Sequence, residues 1–272
     1  MGKKRGYSVR KLSIPRMILT DYNDVASTFA RVTGLVEIDV TEGIKRIKEI
    51  KEKENYPVSM TAWLAKCVAM VVNENKILNS YRKGRKIITF DDVDISIIVE
   101  VETRNGKKVP FNYVLRDAVN KSVKELTDEI RAAQQRKIDE TEQLSRDNQA
   151  RYSSLYAIIP RFLRKFVIKR ILTNPFKLKK LIGTVGITSL GMFAKNFGGW
   201  AIPFADKTLN IAIGAMKEVA IVKDGKPANV KLICLTFLFD HNLVDGAPAT
   251  RFVSRIADLL GKAAYLHDIN EK

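Results

Sequence analysis

Apolar and acidic residues alternate through Val36-Glu37-Ile38-Asp39-Val40, a period-two pattern that predicts a half-buried strand. A helix is expected before it, over about residues 24–33. After it, a helix capped at Thr41 is expected to run to Glu54, because Ile44, Ile47 and Ile50 recur among lysines and glutamates as one apolar face. Ser59 precedes a far more apolar helix over about residues 60–74, and its composition predicts burial. Strands are expected over 86–90 and 93–103, with Arg104-Asn105-Gly106-Lys107 turning the second back onto Val109-Pro110-Phe111.

After Arg116-Asp117-Ala118 the pattern predicts a highly charged helix over about 121–151. Leu126 and Ile130 lie on its apolar face, Thr127 and Glu129 on its polar one. The later half turns to strands at 184–189, 209–215, 218–222 and 230–239, separated by glycine-rich stretches or by Asp224-Gly225. The last of these is almost continuously apolar, as a strand deep in a sheet would be. A terminal helix over about 247–260 carries Pro248 in its first turn, where proline is tolerated. Strands and helices without regular βα alternation predict an α+β layered fold.

With 272 residues and 46% apolar content, the chain is read as one domain over 1–272 carrying a helical basic insertion over 131–180. From 151 to 180 it holds nine lysines and arginines and no aspartate or glutamate, interleaved with apolar residues and split by Pro160 and Pro175. The formal charge of +17 points to an anionic partner, which could be nucleic acid, an anionic membrane surface or a phosphate-bearing cofactor. No apolar run is long enough to span a bilayer, and residues 1–7 lack the apolar core of a signal peptide, so a cytoplasmic location is expected. Cys67 and Cys234, each in an apolar segment without neighbouring ligands, read as buried reduced thiols rather than metal ligands.

Only two histidines occur, so a histidine base has few candidates. His267 lies near a polar terminus and is expected in solvent. His241 directly follows an apolar strand and opens a tight turn before a helix, where a side chain can be held rigidly yet face a cavity. A histidine so placed also serves simply as structure. Asp245 suits the cap of the following helix and could fix the turn presenting His241. Upstream, Gly183-Thr184-Val185-Gly186-Ile187-Thr188-Ser189 sets hydroxyls beside glycines that permit close backbone approach.

Asp240-His241-x-x-x-Asp245-Gly246 resembles the His-x-x-x-Asp-Gly motif of chloramphenicol acetyltransferase and of the dihydrolipoyl acyltransferases of 2-oxoacid dehydrogenase complexes. Ile187-Thr188-Ser189-Leu190-Gly191-Met192-Phe193 is similar to a second motif of that family, Asp91-Asp92-Val93-Asp94-Ile95-Ser96 to its strand entry, and Arg116-Asp117-Ala118 to the segment after its hairpin. The resemblance implies a chloramphenicol acetyltransferase-like two-layer sandwich with a mixed sheet. It also implies a homotrimer, or a multiple of trimers, with coenzyme A or acyl-CoA and the acceptor entering opposite ends of a channel between subunits. In that reading His241 is the general base and Thr188 of a neighbouring subunit stabilises the oxyanion. Asp245, paired with Arg16, and Gly246 support the site, and no metal is required. The acceptor would be a thiol, hydroxyl or amine.

Two positions depart from the pattern: Asn242 stands where family members often have arginine, and Thr188 where serine is usual. No lipoyl domain is recognised in the sequence, so this chain itself would carry no lipoyl group, and a lipoyl carrier protein acting in trans is expected. Three readings compete for the basic insertion: a solvated helical lid or trimer-edge element, peripheral contact with an anionic membrane through 151–180, or nucleic-acid binding, which no recognised module accompanies. The rival to an enzyme is a non-catalytic, membrane-associated scaffold that keeps the fold.

Overall fold

The computed structural model describes residues 7–27, 30–138, 156, 158–191, 198–223 and 225–272. Its sheet runs in the order β1-β9-β8-β7-β4-β5, formed by β1 (Arg31–Asp39), β9 (Lys226–Asp240), β8 (Leu209–Lys223), β7 (Val185–Ser189), β4 (Ile95–Thr103) and β5 (Lys108–Leu115). β7 pairs in parallel with both β4 and β8, whereas β1–β9, β8–β9 and β4–β5 are antiparallel. The sheet is therefore mixed. A two-residue strand β6 (Lys137–Ile138) adds to β4, and a separate hairpin joins β2 (Ser80–Lys83) to β3 (Lys86–Thr89).

Alternation assigns the faces. Ile233, Leu235, Phe237 and Phe239 of β9 and Val185 and Ile187 of β7 enter one large core with the helical layer. That layer comprises α2 (Thr41–Glu54), α3 (Met60–Glu74), α4 (Val123–Gln134) and α7 (Gly246–Gly261). α3 is its centre, with Trp63, Leu64, Lys66, Cys67 and Val68 fully buried or nearly so, as its composition predicts. α2 sits close against it because position 43 is glycine; a Cβ there would fall 2.0 Å from the Trp63 ring. A smaller cluster unites Ala26 of α1 (Ile14–Ala26), Tyr81, Ile168 and Leu172 of α5 (Arg161–Leu172) and Leu178 of α6 (Pro175–Ile182).

Several expectations are corrected. The first helix lies at Ile14–Ala26 rather than 24–33, because Tyr22, Val25 and Ala26 pack into the smaller cluster, and β1 begins as early as Arg31 to pair nine residues with β9. The start of α2 is held not by Thr41 but by Asp39, whose carboxylate accepts from the Thr41 amide at 2.9 Å and from its hydroxyl. Thr127 is fully buried, with its hydroxyl donating to the Val123 carbonyl and accepting from the Ser59 amide. The strands expected at 209–215 and 218–222 are one strand with an irregularity between Ile213 and Met216. α4 ends at Gln134, a turn and the short strand β6 follow, and the charged helix expected to 151 lies outside the described residues beyond 138.

Candidate active site

His241 stands in a turn fixed from both sides. Phe237 and Phe239 near the end of β9 stack with centroids 6.4 Å apart, and each meets Phe252 of α7 edge-on at 6.1 Å. Between these anchors the Asp240 carbonyl accepts from Leu243 and Val244, and its carboxylate accepts from the Asn242 amide at 3.1 Å and side chain at 2.7 Å. The variant residue Asn242 thus closes the turn locally. The His241 amide donates to the Ala30 carbonyl just before β1.

The imidazole Nδ1 lies 3.1 Å from the Val244 carbonyl oxygen. A carbonyl can only accept, so in the neutral ring Nδ1 carries the proton and Nε2 keeps its lone pair, the tautomer a general base requires. The ring is half exposed and its base nitrogen is not consumed by a hydrogen bond to another described residue. Asp245 does not share the role, since its carboxylate lies 4.0 Å from Nδ1 and is 87% exposed. It occupies the N-cap position of α7 without a side-chain cap bond. Gly246 follows with open space where a Cβ would be.

Arg16 is exposed on α1, and no ion pair within the described chain joins it to Asp245. A different arginine serves this end of the sheet. Arg31 lies opposite Asp240 in the β1–β9 register and donates to the carbonyls of Ala205 at 2.6 Å and Lys207 at 3.0 Å. Burial pushes its guanidinium down, opposed by the carboxylates of Asp240 and Asp206. Asp206 accepts from the Tyr22 hydroxyl and pairs with Lys207 at 2.6 Å. Burial would raise its carboxyl, but Lys207, Tyr22 and Arg31 together hold it below the usual carboxylate value. No periodicity in the sequence marks this cluster, which joins residues far apart in the chain.

Thr188 is half-buried on β7, on the sheet face opposite Ile187 and hence away from the helical layer. Its hydroxyl has no hydrogen-bond partner among the described residues. The start of β7 is fixed tightly: the Asp94 carbonyl accepts from the Thr184 amide at 2.7 Å and the Val185 amide at 3.1 Å, and Gly183 has φ +70°, where an added Cβ would fall 2.6 Å from the same oxygen. The Asp94 carboxylate accepts from Arg116 at 2.7 Å and from the Asp117 amide at 3.0 Å. Arg116 also donates to the Lys179 and Lys180 carbonyls at the end of α6. The Asp91-Asp92-Val93-Asp94 and Arg116-Asp117-Ala118 segments, distant in sequence, therefore meet to seat the strand that bears Thr188. Met192 and Phe193 lie outside the described residues.

Thr188 and His241 are not together within one chain. The register places Thr188 opposite Ala212 and Ala212 opposite Thr236, five residues before His241. Two strand spacings and five residues of extended chain separate the two by roughly 20 Å. His267 is exposed; Cys67 and Cys234 are buried free thiols. Among the described residues no cluster of histidine, cysteine, aspartate or glutamate could hold a metal, and no helix is long and apolar enough to cross a membrane.

A family model described as the catalytic domain of 2-oxoacid dehydrogenases acyltransferase matches residues 8–148 and 172–267. Among curated proteins, the dihydrolipoyllysine-residue acetyltransferase component of the Bacillus subtilis pyruvate dehydrogenase complex is 24% identical over 238 residues, covering 86% of this chain. The chain spans only 45% of that relative's length. Dihydrolipoamide acetyltransferase of Azotobacter vinelandii, in which a serine, a histidine and an asparagine have been investigated for their role in the catalytic mechanism, matches in structure with TM-score 0.67 and 19% identity, covering 97% of this chain and 96% of that one. The cubic core of a pyruvate dehydrogenase multienzyme complex matches equally, with TM-score 0.67, 19% identity and the same coverage.

Proposed function

Because this chain belongs to the 2-oxoacid dehydrogenase acyltransferase family, through its catalytic domain, we propose that it transfers an acyl group between coenzyme A and an acceptor thiol of the dihydrolipoyl type. The observation that carries this reading is the Nδ1 contact of His241 with the Val244 carbonyl, which leaves Nε2 free to accept a proton. Nε2 removes the acceptor's thiol proton, and the thiolate attacks the thioester carbonyl of acyl-CoA. The tetrahedral oxyanion accepts a hydrogen bond from the hydroxyl of Thr188 of a neighbouring subunit. On collapse the C–S bond to CoA breaks, and the departing thiolate takes the proton from the imidazolium. The steps need no metal. Alcohols and amines would enter the same sequence as nucleophiles, with weaker leaving groups on reversal.

The roughly 20 Å between the two groups within one chain supports a site shared between subunits, and a homotrimer or a multiple of trimers is the assembly proposed; the similar protein is the cubic core of a multienzyme complex. A lipoyl group would then be presented by a separate carrier or segment. The catalytic domain is proposed to span 1–272 with an insertion at 131–180, supported by the break in the family match between 148 and 172.

The test is release of free CoA from acetyl-CoA in the presence of dihydrolipoamide. Wild type is expected to turn over, and His241→Ala to lose about 10²–10⁴-fold in rate. Turnover that is unchanged in His241→Ala, or undetectable in the wild type across a panel of acyl-CoAs and acceptors, would leave only the scaffold reading.

A further inference from the structure

We propose that α5 and α6, with the β2–β3 hairpin beside them, form a docking face for an anionic lipid bilayer; the acyl-transfer reading is not needed for this. The inner side of α5 is fully used. Ile168 and Leu172 enter the cluster with Ala26, Arg164 pairs with Asp21 at 2.8 Å, and Lys165 and Arg161 each pair with Asp24 at 2.7 Å. The outer side of α5 is apolar and exposed among the described residues. Phe162 is 71% exposed and Phe166, one turn later on the same side, 63%, with Leu163 and Val167 beside them and Phe176 of α6 at 60%. Phenylalanines left this open on two successive helices exceed the scattered apolar residues of an ordinary surface.

Charge identifies what covers them. Lys169, Arg170, Lys177 and Lys180 are exposed around this stripe and form no ion pair with any described residue. The hairpin is joined to α6 by the edge-on contact of Phe90 with Phe176 at 5.9 Å, and its tip adds Arg82, Lys83, Arg85 and Lys86, also exposed. No acidic residue occurs from 151 to 183. A second copy docking through the same face would bring two such cation sets together at a cost. A nucleic-acid backbone would satisfy the charges but leave the phenylalanines in water. A bilayer surface with anionic headgroups satisfies both, taking the rings into the acyl boundary and the cations into the phosphate layer.

The experiment is co-sedimentation of the intact chain with vesicles of phosphatidylcholine alone or mixed with phosphatidylglycerol. Binding is expected only to the anionic vesicles, weakening as salt rises. Lys169→Glu with Arg170→Glu is expected to weaken it by about 25-fold or more, at about fivefold per cation removed. Phe162→Ser with Phe166→Ser is expected to weaken it at least about tenfold, with circular dichroism and melting temperature unchanged. Should that pair fail to fold, Phe166→Ser alone serves. The proposal is overturned by no binding to anionic vesicles at moderate salt, by equal binding to neutral ones, or by folded variants that bind like wild type. A changed oligomeric state in the phenylalanine variants, or binding to duplex DNA without binding to vesicles, would equally overturn it.

Discussion

At the level of single side chains, the proposed acyl transfer depends on which nitrogen of His241 is free and on whether Thr188 supplies a hydroxyl. The carbonyl of Val244 decides the first question, and a sequence cannot display it, since a backbone atom has no residue identity to recognise. Thr188→Val, which keeps the shape and removes the donor, is expected to lower the acyl-transfer rate by about 10²–10³-fold. Thr188→Ser should stay close to wild type, because the departure from the family's usual serine preserves the hydroxyl. Equal rates for the valine and serine variants in the CoA-release assay would remove Thr188 from the chemistry.

Among elements, those whose side-chain pattern and burial coincide were legible in advance. α3 and the second half of β9 are examples, each so apolar that only one environment suits it. α1 lies upstream of the expected 24–33 because its inner side packs on a small cluster that also depends on Tyr81 and Leu178, which the local pattern does not reveal. The His241 turn was found through its motif, whereas the Arg31–Asp206–Tyr22 cluster was missed because it is assembled from three separate segments. The seating of β7 gives a prediction at this scale. Gly183→Ala would force a Cβ to within 2.6 Å of the Asp94 carbonyl at a positive φ, so the variant should lose about 1–3 kcal/mol of stability. Arg116→Lys should also destabilise, because one ammonium cannot bridge the Asp94 carboxylate and the two carbonyls that end α6 as a planar guanidinium does. Thermal melting of both variants checks this, and unchanged transitions would refute the clamp.

On the scale of the whole molecule, buried charge links α1, β1 and the entry to β8. Asp206 is held below its usual value when folded, so its contribution to stability is present above the unfolded value of 3.8 and is lost as pH falls through the lower folded one. Asp206→Asn should therefore melt earlier than wild type near neutral pH, with the gap closing as pH falls below about 4; a gap that stays constant with pH would contradict the ionised pairing. The larger claim is that one chain holds only half of each active site, and it is tested most directly by mixing two impaired chains. Differently tagged His241→Ala and Thr188→Val subunits are co-expressed, oligomers carrying both tags are isolated, and CoA release from acetyl-CoA is measured. Sites shared between neighbours predict that the mixed oligomers recover activity, to roughly a third of wild type for a trimer carrying both tags, where one of three pairings unites an intact histidine with an intact threonine, and to roughly a quarter for larger random assemblies. Mixed oligomers no more active than either parent would contradict it.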